Sequence, residues 1–329
     1  MLNNYIDEKI LLRYSEKREV KKTALKAGFA LLISYIFTVS LSPLLKILLK
    51  KVNFFGKNYY YLLSNSGFKE IIQIIFSIML FIVPFTIVSK ISREKISETV
   101  PFNKPEGDIK ALFCFGLGFC GFANISVSYA GSLLGNLGFP EYNLPSSSNP
   151  SGFFGFMLCV ISTALIPPLV EEFAFRGVLF GWLNKFGEKF ALFATAVLFG
   201  LMHRNFVQMF FAFLVGLVLG FIRIKSGSLW LSVAVHAVNN LFAVISDYSA
   251  QILSDSAQSV MYLILNIAYL LIGILGLMFV TKDKDMFRLN GVKSNVIKES
   301  DVFKCFFTSI PVILFCAFCI TEAFLYYFL

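Results

Sequence analysis

Residues 166–183 read IPPLVEEFAFRGVLFGWL, an apolar run broken first by two prolines and then by Glu171-Glu172 and Arg176. Charge placed at bilayer depth is costly, so it is a hypothesis of function wherever it occurs. The pattern recurs downstream. The apolar run Phe190–Met202 stops at His203-Arg204-Asn205, and Leu229–Ile245 carries His236 and Asn240. His203 and His236 are the two histidines of the whole chain.

The composition sets the frame for these residues. Of 329 residues, 57% are hydrophobic, 39 are Phe and 15% are charged, against about 25% charged in a soluble domain. The expected fold class is all-α: a polytopic membrane helix bundle of about eight or nine transmembrane helices, with the active-site cavity inside the bundle. The net charge of +9 lies in loops beside apolar spans, which is the pattern of cytoplasmic loops and not of a nucleic-acid interface. The partner expected from this is a lipid bilayer, and no nucleic acid. The six cysteines lie in or beside apolar spans, against a disulfide framework or zinc ribbon. Cys316 and Cys319, although spaced C-x-x-C, read as small packing residues.

The basic stretch 1–22 has no cleavage site after it and reads as an uncleaved cytoplasmic N-terminus. Nine apolar runs follow: Ala27–Leu49, Ile71–Ser89, Ala111–Phe139, Phe153–Leu183, Phe190–Met202, Phe206–Ile222, Leu229–Ile245, Val260–Val280 and Cys305–Leu329. Lys/Arg-rich and Lys/Arg-poor loops mostly alternate between them. The first external loop, with Lys50, Lys51, Lys57 and Lys69, is the exception. The expected organisation is a basic N-terminus (1–22), an N-terminal transmembrane region (23–150), a functional core (151–250) and a C-terminal transmembrane region (251–329). The chain reads as an integral protein of a bacterial plasma membrane. The Pro-, Ser- and Asn-rich segment 140–152 marks the boundary before the core. Gly131 and Gly135 have small-xxx-small spacing that permits close helix approach, while Gly216 and Gly220 read as packing within the bundle. Tyr59-Tyr60-Tyr61 reads as an interfacial aromatic belt, and the basic N-terminus as a contact for anionic lipid.

With a helical rise of about 1.5 Å per residue, Glu171 and His203 fall about 20 Å from the basic boundary and His236 about 15 Å, with Asn240 one turn deeper. Separate helices thus bring polar groups to the middle of a hydrocarbon layer about 30 Å thick. Phe190–Ile222 reads as a short hairpin whose turn, at 203–205, lies inside the membrane, packed in protein or lining a wet cavity. Glu172 and Arg176, at i and i+4, share a helix face and pair. Glu171 is rotated about 100° away and is the free carboxylate. His236 and Asn240, also i and i+4, share one wall.

A buried carboxylate beside an imidazole suits general-base activation of water, and a wall of His and Asn suits an oxyanion. No G-x-S-x-G elbow is present. Two His and a Glu (Glu171, His203, His236) are also a legitimate zinc set, although H-E-x-x-H is absent and Asn240 is a poor ligand. Zinc is the one cofactor in question.

Three segments, Glu171-Glu172-Phe-Ala-Phe-Arg176-Gly177, Phe199-Gly-Leu-Met-His203 and His236-Ala-Val-Asn-Asn240, resemble the three motifs of the CPBP family, the CAAX prenyl protease and bacteriocin-processing (Abi, Rce1-like) group. The resemblance covers about residues 166–244. It implies an intramembrane endopeptidase, of metallo- or glutamate type, acting on a CAAX-type prenylated peptide or a bacteriocin or leader-type peptide. Glu171 would activate water with His203 as its partner. His236 and Asn240 would hold the oxyanion, and Glu172 and Arg176 would support the site. Two other readings stand beside it. One is a catalytically inactive immunity or scaffold protein that binds a peptide or partner in the cavity. The other is a transporter, which the clustering of polar groups at one depth disfavours.

Overall fold

The computed structural model describes residues 2–51, 64–136, 138 and 152–328. Among these there are helices and no strands. We number the helices α1 (Leu2–Lys51), α2 (Ser66–Ile91), the short α3 (Ile96–Thr99), α4 (Ile109–Asn136), α5 (Gly152–Asn184), α6 (Glu188–Leu201), α7 (Phe206–Ser226), α8 (Leu229–Ile252), α9 (Asp255–Val280), α10 (Glu299–Phe307) and α11 (Ile310–Phe328). Eight of them are long and apolar enough to cross a membrane. This is the all-α polytopic bundle expected of an integral membrane protein. Backbone groups in hydrocarbon have no water to bond, so a helix, which satisfies its own, is the form these apolar runs take.

Several boundaries differ from the sequence reading. Helix α1 runs unbroken for 50 residues, so the basic N-terminal residues continue the first span as helix. The fifth apolar run, α6, has 14 residues and reaches about 21 Å, too short to cross; α7, with 21 residues, is long enough. The ninth run divides at Thr308-Ser309 into α10 and α11 because Pro311 has no N–H to carry the helix through. Segment 140–151, Lys57 and Tyr59–Tyr61 lie outside the described residues.

Polar side chains start the helices that shape the site. Asn205 Oδ1 accepts from the Val207 and Gln208 amides at 3.0 and 3.3 Å to open α7. Ser228 opens α8 through the Trp230 amide. Between them Gly227, at φ 62°, makes the turn.

One end of the bundle is knitted by its basic loops. The Leu229 amide donates to Pro101 O at 2.9 Å, Ser228 Oγ to Asn103 O at 2.6 Å, and Lys225 Nζ to Arg288 O at 2.8 Å. The start of α1 is tied there through Ser294 Oγ to Glu16 Oε2 at 2.6 Å and Lys17 to Asp301 at 2.9 Å. The hydrogen bond from Lys17 holds the Asp301 carboxyl down at about 2. Lys26 pairs with Glu94 and lies over the Trp182 ring.

Helices α4 and α9 cross most closely at glycines. A Cβ on Gly118 would lie 2.0 Å from Gly273 Cα, and one on Gly276 would lie 2.2 Å from the Phe115 nitrogen. The close approach therefore falls here and not at Gly131, where an added Cβ would meet nothing within 4 Å. A Cβ on Gly216 would lie 3.1 Å from Ala196, and one on Gly220 would lie 2.5 Å from Leu192. Both contacts are with α6, as packing within the chain requires.

Overpacking a filled crossing costs about 1–3 kcal/mol. Gly118→Leu is expected to lower the melting temperature of the purified protein in detergent, and Gly131→Ala to leave it unchanged. Equal melting of the two variants would contradict this crossing.

Candidate active site

The site is built on an irregular helix. Helix α5 contains two π-helical segments, Val160–Leu165 and Phe173–Leu179, of the kind that recurs at functional sites. In the first, the Ile166 amide bonds back five residues to Ile161 O and so leaves Ser162 O without it. Pro167 and Pro168 follow and have no N–H to offer. Two carbonyls are thereby left for side chains from other helices. Gln73 Nε2 of α2 donates to Ser162 O at 3.2 Å, and Asn240 Nδ2 of α8 donates to Thr163 O at 3.1 Å. The prolines that interrupt the sequence thus create the sockets by which α2 and α8 grip α5.

Beyond the prolines a chain of charged groups runs across the helices. Arg176 Nη1 donates to Glu172 Oε1 at 2.9 Å, and both side chains are fully buried. The same Oε1 lies 3.0 Å from His236 Nδ1, and His236 Nε2 lies 3.8 Å from Glu171 Oε2. Arg176 is fixed further by Nη2 to Gly216 O at 3.3 Å and by the Phe199 ring, 4.2 Å from its guanidinium carbon. A carboxylate oxygen can only accept, so Glu172 holds the proton of His236 on Nδ1 and turns Nε2 toward Glu171. With one arginine and two glutamates, the cluster is neutral when the Glu171–His236 pair carries one extra proton.

His203 sits on the other side of Phe199. Its Nδ1 faces Phe199 O at 3.0 Å, which fixes the proton there and leaves Nε2 for the cavity that His203 lines. The Phe199 ring stands edge-on to both imidazoles, at 5.0 Å from His203 and 5.9 Å from His236. The structure thus brings Glu171, Glu172, Arg176 and His236 into direct contact. The imidazole that reaches Glu171 is His236, where the sequence reading paired Glu171 with His203. Asn240 joins the site with one amide hydrogen committed to Thr163 O and accepts from Asn239 Nδ2 at 3.4 Å.

The zinc alternative requires Glu171, His203 and His236 to converge. Among the described residues no three His, Cys, Asp or Glu side chains form a group able to hold a metal ion, and both nitrogens of His236 face carboxylates. These residues as placed do not fit a zinc site, and no step below runs through one.

A cavity of about 640 Å³ opens beside the cluster, lined by His203, Thr163, Asn239 and Asn240, and by residues of α4 and α9. Its size is that of a small-ligand or short-peptide site.

Two supporting acids escaped the sequence reading. Glu322 of α11 binds Arg204 Nη1 at 2.7 Å. It steadies the turn that carries His203, in which Arg204 adopts the left-handed φ of 53°. Glu70 of α2 accepts from Ser162 Oγ beside the first π segment. An acid inside an apolar helix was the available signal for each.

Residues 153–242 match the family model described as Rce1-like, type II CAAX prenyl endopeptidase Rce1-like. A protein of Bacillus subtilis (strain 168), named "Putative membrane peptidase YdiL", is 28% identical over 89 residues. That match takes in 27% of this chain and 36% of the relative, so the chain spans little more than a third of the relative it matches. No solved structure matches. The family match encloses all three motifs.

Proposed function

We propose that this protein is an intramembrane endopeptidase in which Glu171 activates the attacking water. The observation that carries the proposal is the buried chain Arg176–Glu172–His236–Glu171, which ends in a carboxylate that keeps 16% of its surface exposed. Glu171 takes a proton from water while the water oxygen bonds to the scissile carbonyl carbon. The carbonyl electron pair moves onto oxygen. His203 Nε2 accepts the water's other hydrogen and orients the nucleophile. His236, held by Glu172, and the second amide hydrogen of Asn240 donate to the oxyanion. When the carbonyl re-forms, the C–N bond breaks and the proton on Glu171 passes to the leaving nitrogen.

Throughout the attack the negative charge moves from Glu171 to the oxyanion, and both lie within reach of the His236 proton. Little solvent reorganisation is needed, which suits a site away from bulk water. The substrate is a peptide, free or prenylated, reached in a bacterial plasma membrane with the basic end of the bundle, and so the N-terminus, in the cytoplasm.

The test is cleavage of a fluorogenic peptide library, with and without a prenyl group, by purified protein. Glu171→Gln is expected to lower cleavage by about 10²–10⁴-fold and to leave melting unchanged. Glu172→Gln strips a buried arginine of its partner and is expected to destabilise by about 3–5 kcal/mol. A Glu171→Gln protein that cleaves normally would overturn the proposal. So would activity abolished by chelator and restored by zinc.

Glu322→Gln is expected to lower kcat while KM holds, because it loosens the His203 turn without touching substrate. Full activity in that variant would remove the turn from the mechanism.

A further inference from the structure

We propose that a phosphate monoester binds at the basic end of the bundle, in a cavity formed by the start of α1, the turn between α5 and α6, and the loop before α10. The site is separate from the active site, and its test needs no turnover.

The cavity measures about 530 Å³, within the range of small-ligand pockets. Its frame is held in place. Val20 of α1 and Ile297 of the loop are buried against the core. Ser294 Oγ, which donates to Glu16 Oε2, also accepts from the Val296 and Ile297 amides at 3.0 and 3.1 Å. The turn closes with the Phe186 amide on Leu183 O at 2.9 Å.

The three segments bring four cations to this cavity: Arg18 and Lys22 from α1, Lys185 from the turn and Lys293 from the loop. Two acids line it as well, Glu16 and Glu19, which leaves a surplus of two positive charges. Both acids are already engaged, Glu16 by Ser294 and Glu19 by Lys22 at 2.6 Å. Among the described residues no carboxylate lies within ion-pair distance of Arg18, Lys185 or Lys293. Arg18 and Lys185 are nevertheless close enough to the Glu19 carboxylate for their charge to act on it, as Lys22 does. Three of the four cations thus converge where Glu19 supplies a single negative charge. A concave surface with an excess of one sign focuses its field and concentrates counter-ions.

The surplus selects the ligand. A phosphate monoester carries about −1.5 to −2 charges near pH 7 and three strong acceptor oxygens. A carboxylate or a phosphodiester brings one charge. The guanidinium of Arg18 can hold two phosphate oxygens at once, and the lysines add point charges. The Glu19–Lys22 pair is exposed on both sides, at 51% and 58%, and exposed pairs are weak, so an arriving dianion can take Lys22 from Glu19. The monoester can come free in solution or as the headgroup of a lipid, and the recognition is the same.

The experiment uses the purified full-length protein in detergent at constant ionic strength, titrated calorimetrically. The probes are inorganic phosphate, dioctanoyl phosphatidic acid as a lipid monoester, and dioctanoyl phosphatidylglycerol as a lipid diester. At least one of the first two is expected to bind more tightly than the diester. Binding of phosphatidic acid alone supports the site with a lipid source, and binding of phosphate supports it with a soluble one. Arg18→Gln and Lys185→Gln should each weaken binding about tenfold, and Lys9→Gln, outside the cavity, should not change it. Glu19→Gln should tighten binding several-fold, a direction that damage to the fold does not give. The inference is overturned if neither monoester binds, if the diester binds as tightly, if Arg18→Gln and Lys185→Gln act no more than Lys9→Gln, or if Glu19→Gln weakens binding.

Discussion

The contact between Glu172 and Arg176 is the constraint on which the rest of the site depends. Both side chains are fully buried, and neither charge would be tolerated there alone. Their pairing leaves Glu172 Oε1 in position to hold His236 Nδ1, so the ion pair sets the tautomer of a histidine on another helix. The Phe199 ring packed on the guanidinium, the Gly216 carbonyl on Nη2 and the Arg223 Nε on the Arg176 carbonyl at 3.2 Å all serve this one arrangement. Gly216 is small where both α6 and the guanidinium lie against it: an added Cβ would be 3.1 Å from Ala196 and 3.3 Å from Nη2.

The same economy governs α5. A helix with two adjacent prolines inside a membrane must find donors for the carbonyls they leave unserved. Gln73 and Asn240 supply them. Asn240 consequently has two places in the structure: one amide hydrogen ties α8 to α5, and the residue also lines the cavity. A residue that would read as purely catalytic from its motif is also part of the packing that holds α8 in register with Glu171 and Glu172.

Much of this was legible in the sequence because lipid leaves so few solutions. Apolar length gave the spans. The shortness of α6 was visible in its 14 residues, and the pairing of Glu172 with Arg176 followed from fixed helical spacing. The partner of Glu171 was not legible. It depends on the rotation of α8 against α5, and a π-helical segment shifts the phase of every residue beyond it, so a wheel drawn at 100° per residue loses the face. Glu322 and Glu70 carried the same signal that singled out Glu171, an acid in an apolar helix, but belong to no motif. The Gly118–Gly273 crossing joins positions 155 residues apart, and small-residue spacing within one helix does not say which glycines find a partner in another.

Two adjacent glutamates come to opposite uses through one geometric fact. On a helix, neighbours point about 100° apart, so when Glu172 turns inward to Arg176, Glu171 must face another sector. That sector holds His236 Nε2 at 3.8 Å, too long for a strong hydrogen bond but close enough for charge to be felt. At this separation Glu171 meets the imidazole through Oε2 without being locked to it, and its side chain keeps 16% of its surface exposed. Glu172 is the half held rigidly, through one oxygen that meets both Arg176 and His236, and that is what leaves Glu171 to the other sector.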